Sequence, residues 1–260
     1  MSLFGARVIA IFAIAALSVG SAFAQPKPTT PTKPTPMPDP NNPLADKPSP
    51  KTPKRLPPGS LALDALAKVE AQYKKPQHLT ATFAQTLTRA IGGKPGETGG
   101  TLRVEKPDKV RVDFRPPNRK DPGVKTTYLF DGKIAWSIDY PNKQVAQKSV
   151  AGSDLPALVS FFLGAGTLSR DFKIALTSDK THVPDGMTGL ELTSKQPSAA
   201  YGRIILVVDR DSRVTKSVIF NSSGDIQEMR FTSIELDKPA PVGTFAIDRK
   251  ATAGYNFITP

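Results

Sequence analysis

Residues 100–114 read Gly-Thr-Leu-Arg-Val-Glu-Lys-Pro-Asp-Lys-Val-Arg-Val-Asp-Phe. Val110, Val112 and Phe114 alternate there with Arg111, Asp113 and Arg115. A period of two sends successive side chains to opposite faces of an extended chain, so this is a strand with one apolar and one charged face. Working outward, Asp131-Gly132 is a two-residue hairpin signal between strands at Thr126–Phe130 and 134–140. Residues 204–208 turn through Asp209-Arg-Asp-Ser into Val214–Phe220, and 221–225 turn again into Ile226–Leu236. Two stretches carry the helical period instead. In 59–73, Leu66, Val69 and Tyr73 recur at spacings of three and four, with Ser60 as N-cap and Pro76 as stop. In 154–164, Leu155, Leu158, Val159, Phe162 and Leu163 form an apolar stripe closed by Gly164. Many short strands and few helices predict a mainly β, α+β domain over 59–260 built on one large antiparallel sheet or open barrel.

The ends of the sequence read differently. Arg7 precedes an apolar run from Val8 to Val19, too short for the roughly 20 residues that span a bilayer. Ala22-Phe23-Ala24 then fits an A-x-A cleavage site, so residues 1–24 read as a cleaved signal peptide and the mature protein as exported. No cysteine follows the cleavage point, which predicts a soluble product rather than a lipid-anchored one. Residues 25–58 hold 13 of the 26 prolines, six Lys/Arg and two Asp, with no aromatic residue. Proline removes backbone donors and fixes φ, so the segment reads as a disordered, polyproline-II-rich spacer. Extended at about 3.1 Å per residue, it reaches on the order of 100 Å.

Composition excludes several chemistries. The 260 residues contain no cysteine, which removes disulfides, thiolate metal sites and cysteine nucleophiles. The two histidines, His78 and His182, stand about 100 residues apart, and neither has carboxylates at metal-binding spacing. No G-x-S-x-G, P-loop or G-x-G-x-x-G motif occurs. Asp209-x-Asp211 sits where a tight turn favours aspartate for backbone reasons. Gly92-Gly93 and Gly99-Gly100 read as a flexible loop around a polar stretch, and Asn221-Ser222-Ser223 as a chance sequon. The formal net charge is +12, but the basic residues are scattered over strand faces without aromatic interleaving, which argues against nucleic-acid binding. A binding or carrier role fits better than an enzyme, and no cofactor or metal is expected.

Residues 100–114, with Tyr128-Leu-Phe-Asp-Gly-Lys-Ile-Ala-Trp136, resemble the pattern G-x-L-x-V-x-[KR]-P-x-x-[FV]-R-[WV]-x-[FY] followed by D-G-K-x-x-W of the LolA family of periplasmic outer-membrane lipoprotein carriers. Leu79-Thr-Ala-Thr-Phe-Ala-Gln85 is similar to that family's strand after its first helix. Leu155-Pro-Ala-Leu-Val159 is similar to its proline-started lid helix, and Phe245-Ala-Ile-Asp and Gly254-Tyr-Asn-Phe-Ile258 to its C-terminal strand and tail. The proline-rich spacer is not part of the pattern. The resemblance implies an unclosed, curved antiparallel β-barrel with helices forming a lid over an apolar cavity that receives acyl chains. It implies triacylated lipoproteins as cargo, a LolCDE-type inner-membrane ABC transporter as donor, and a LolB-like acceptor or the outer membrane itself as destination. The protein is then expected to act as a periplasmic monomer, with no cofactor and no bond made.

Within that frame the cavity lining is expected from Leu102, Val104, Val110, Val112, Phe114, Tyr128 and Phe130, with Leu158 and Phe162 approaching from the lid helix. Lys106 stands before Pro107, where the family's best-studied carriers have an arginine that holds the lid closed. Lysine is a compact charge without a planar fork, so a looser latch is expected. Arg111 is the nearby alternative, although strict alternation puts it on the face opposite Val110. The same fold implies other roles: a carrier of glycolipid or phospholipid, or an RseB-like stress sensor. Such sensors carry a second C-terminal domain, and a chain stopping at Pro260 is expected not to be of that kind.

Overall fold

The structure is a computed structural model and describes residues 58–117, 123–150, 161–163, 167–196 and 202–258. The predicted leader, the spacer up to residue 57, and residues 154–160 and Gly164 of the second predicted helix lie outside the described residues. Helix α1 (Pro58–Lys74) is followed by strands β1 (His78–Thr88), β2 (Gly96–Glu105), β3 (Lys109–Arg115), β4 (Thr126–Phe130), β5 (Ile134–Asp139) and β6 (Gln144–Ser149). A short helix α2 (Leu168–Asp171) leads into β7 (Phe172–Thr177), β8 (Thr188–Ser194), β9 (Arg203–Val208), β10 (Val214–Phe220), β11 (Ile226–Leu236) and β12 (Asn256–Ile258). All twelve strands join one curved sheet in the order β12-β6-β5-β4-β3-β2-β1-β11-β10-β9-β8-β7. β12 and β7 form its two edges, so the sheet does not close on itself. Every pairing is antiparallel except β12 on β6, where Phe257 lies beside Val145. Register shifts at Thr82/Phe83 and Val214/Lys216 are bulges of the kind that increase local twist.

The central strands follow the predicted alternation. Gly100 pairs with Phe114, Leu102 with Val112 and Val104 with Val110 across β2 and β3. Several local expectations are corrected. Helix α1 starts at Pro58, so Ser60 lies in its first turn rather than capping it. In the β4–β5 hairpin Asp131 N donates to Ile134 O, which makes Gly132-Lys133, not Asp131-Gly132, the two central turn residues. Gly132 takes φ +97°, and a Cβ there would stand 2.5 Å from Asp108 Oδ2, so glycine is required twice over. Asp131 instead braces the turn: its Oδ1 accepts from Lys133 N and Ile134 N. Burial opposes ionisation of that carboxyl, but these donors and the Trp136 indole hold it below the ordinary carboxylate range. Gly99 and Gly100 are strand residues of β2, not loop. Residues 245–248 form the end of a turn and irregular backbone rather than a strand.

The sheet has an inner face, on which α1 lies, and an outer face covered by loops. Leu129, Trp136, Ile138 and Val145 cluster outside with Phe245, Ile247 and Tyr255 of the C-terminal segment. Val183, Ile205, Val207 and Val218 form a second outer cluster. β9 is therefore buried on both faces, which is why it reads as an unbroken apolar run.

Candidate functional site: a helix laid over an apolar inner wall

Leu102, Val104, Val110, Val112, Phe114, Tyr128 and Phe130 are brought together on the inner face and are all buried. Phe83, Phe114 and Tyr128 run across three strands as edge-on rings, 5.4 and 5.9 Å apart. Burial pushes the Tyr128 phenol up, as it does that of Tyr73. Sequence reasoning missed the other half of the wall, built by Leu190, Leu192, Ile204, Leu206, Val208 and Met229. The alternation of Leu190-Glu191-Leu192 was its available signal.

Helix α1 packs into this core, with β7 and β8 as its nearest strands. Ala62, Leu66, Val69 and Tyr73 recur at helical spacing and are at most 4% exposed. The Tyr73 ring meets Phe161 at 5.5 Å and Phe162 at 5.9 Å, so the described end of the second predicted helix packs on α1. Leu158 lies outside the described residues. Polar bonds tie the helix to its surroundings. Leu168 N donates to Glu70 Oε1 at 2.8 Å, and Val214 N to the Tyr73 hydroxyl at 3.0 Å. At the C-terminal end Lys106 Nζ donates to Tyr73 O at 2.6 Å and Lys74 O at 2.8 Å. A helix leaves its last carbonyls without intrahelical partners and carries partial negative charge there, so an ammonium is suited to the position. Burial draws the Lys106 ammonium below the ordinary lysine range, and the Asp237 carboxylate works against that.

Arg111 lies on the opposite face. Its Nε donates to Asp113 Oδ1 at 2.9 Å and its Nη1 to Thr244 O at 3.0 Å, so it pins the C-terminal segment to the outer face and does not reach α1. Asp113 also receives Arg103 Nη1 at 3.0 Å and Thr127 Oγ1 at 2.7 Å.

The sequence carries the family signal as well as the fold: residues 74–248 match the family model described as outer membrane lipoprotein carrier protein LolA. The chain belongs to the LolA family. Among relatives, the outer-membrane lipoprotein carrier protein of Dechloromonas aromatica is 26% identical over 184 residues, covering 69% of this chain and 81% of that protein. That of Methylobacillus flagellatus is 21% identical over 178 residues, covering 68% and 82%. A solved structure of a LolA superfamily protein from Nitrosomonas europaea is 14% identical and covers 72% of this chain and 97% of that one, with a TM-score of 0.39.

Among the described residues of this LolA-family chain, no group of three or more His, Asp or Glu could hold a metal ion. Asp209 serves its turn: Oδ1 accepts from Asp211 N and Arg213 N, both at 2.9 Å. His78 stands 3.9 Å from Glu105 and His182 3.6 Å from Glu228, with Asp179 also beside His182. Among the described residues, no helix is long and apolar enough to cross a membrane.

Proposed function

We propose that this protein is a non-enzymatic periplasmic carrier that shields lipoprotein acyl chains and passes them from a LolCDE-type transporter toward the outer membrane, through a LolB-like acceptor or directly. The observation that carries this reading is an apolar wall covered by α1 together with Phe161 and Leu163, the C-terminal end of the helix being fastened by the ammonium of Lys106. The magnitudes suit a shuttle. Leu66, Val69 and Tyr73 at about 1.5–3 kcal/mol each make roughly 5–9 kcal/mol of burial that is lost when α1 lifts. An acyl chain of 16 carbons gains on the order of 12 kcal/mol on leaving water. For one chain the difference favours loading by roughly 3–7 kcal/mol, so a chain is held against water and yet can be surrendered to a better site.

In this reading α1 and the segment 154–164 form the lid, Leu158 and Phe162 belong to its underside, and Lys106 is the latch. Cleavage after Ala24 delivers the protein to the periplasm, and the segment 25–57, which ends where α1 begins, acts as a spacer. The full exported protein, added to inner-membrane vesicles with ATP, is expected to release triacylated lipoprotein as a soluble one-to-one complex. If lipoprotein stays in the vesicles while free phospholipid or glycolipid is extracted, the carrier role moves to another envelope lipid.

The latch has its own test. Lys106→Met removes two charge-assisted bonds from a partly exposed site, a cost of about 1–2 kcal/mol. It should speed hydrogen exchange in the last turn of α1 and accelerate lipid release, whereas Lys106→Arg should retain the closed state. Equal release rates for all three proteins would remove Lys106 from the mechanism.

A further inference from the structure

Beside the latch lies a cleft of about 230 Å³ lined by Gln72, Tyr73, Arg213, Ile234 and Leu236. One wall is the C-terminal turn of α1, the other is the end of β11, and Arg213 comes from the turn between β9 and β10. Its floor is apolar: Ile234 and Leu236 pack against the inner core, and Tyr73 belongs to that core. The volume lies below the roughly 300–1,000 Å³ of a pocket that takes a whole ligand, so it admits only the leading end of one acyl chain.

Position matters as much as volume. Tyr73 lines the cleft while its hydroxyl accepts from Val214 N and its carbonyl accepts from Lys106 Nζ. A chain pushed into the cleft therefore bears on the residue through which α1 is fastened at both its side chain and its backbone. The mouth also selects a head group. Arg213 is half-exposed, and its nearest carboxylate contact is a loose one, Asp211 Oδ2 at 3.9 Å. Asp209 accepts from the Arg213 amide, which fixes the backbone of the turn and leaves the guanidinium with Asp211 as a loose partner. A guanidinium so loosely paired keeps donors for an oxygen acceptor at the mouth, such as the ester or amide carbonyl of a fatty acyl chain.

We propose that this cleft is the loading port of the carrier, where the first acyl chain of a lipoprotein enters beneath α1 with its ester or amide carbonyl held by Arg213. The inference rests on the carrier reading above and adds the route to it. The test uses the full exported protein and a synthetic triacylated peptide bearing a photoreactive group near the end of one acyl chain. At the shortest mixing times, crosslinks are expected on Gln72, Tyr73, Ile234 and Leu236, moving later to β3. Ile234→Trp, which fills the cleft, and Arg213→Ala should each slow uptake roughly tenfold. Unchanged melting temperatures would separate these effects from misfolding. Early crosslinks at another edge of the sheet, or wild-type uptake by both variants, would overturn the port and leave the carrier intact. Failure of the wild-type protein to take up the peptide at all would overturn both.

Discussion

Gly100→Val should be the most damaging single substitution in the sheet. A Cβ at this position would lie against the Asp113 carbonyl oxygen of the neighbouring strand and 2.6 Å from Phe83 Cζ. The first is backbone and cannot move aside without parting β2 from β3. The second is the ring that crosses the glycine from β1 to meet Phe114, an aromatic packed over a strand glycine. Overpacking typically costs about 1–3 kcal/mol, and the upper end or more is expected where the obstacle is fixed backbone. Urea unfolding should show the midpoint falling accordingly, or no folded protein at all. A valine variant within about 1 kcal/mol of wild type would mean that the strands around Gly100 are not so close.

The second large effect is expected at Asp113. Its carboxylate is nearly buried and receives two guanidinium groups and a hydroxyl. Removing one member of such a cluster leaves the others uncompensated, at about 3–5 kcal/mol when fully buried. Arg103 and Arg111 retain some solvent access, so Asp113→Ala should cost about 2–4 kcal/mol. Because Arg111 also holds Thr244 O, the loss should spread to the C-terminal segment. Hydrogen exchange should quicken around 244–255 and in β12 before it quickens in β9. A loss below about 1 kcal/mol, with the C-terminal amides still protected, would contradict that coupling.

The same residues explain what the sequence could and could not convey. Val110, Val112 and Phe114 alternate cleanly because one face of β3 meets a core and the other meets salt bridges. Their placement on the inner face was legible without coordinates. Gly99-Gly100 was misread as loop because a glycine pair usually marks a turn. Only the cross-strand neighbour, Phe83, makes it a strand device, and that neighbour is 17 residues away by subtraction of their numbers. The Phe245–Asp248 segment was expected as a strand, yet its apolar residues serve to cover Trp136 on the outer face. The Lys106 contact needed the fold: nothing in residues 100–114 says that the end of α1 lies above them. Arg111 shows the reverse, since alternation alone already placed it away from the helix.

The central claim is that lipid replaces α1 on the inner wall. Because the chain contains no cysteine, Val69→Cys gives a single reporter at a position that is 0% exposed in the closed protein. The measurement is its labelling rate by a maleimide before and after loading with a triacylated peptide. Loading should turn a nearly inert thiol into a reactive one, in proportion to bound lipid. A thiol that stays inert while one peptide is bound per protein would show that α1 never leaves the wall, and the lid mechanism would be wrong.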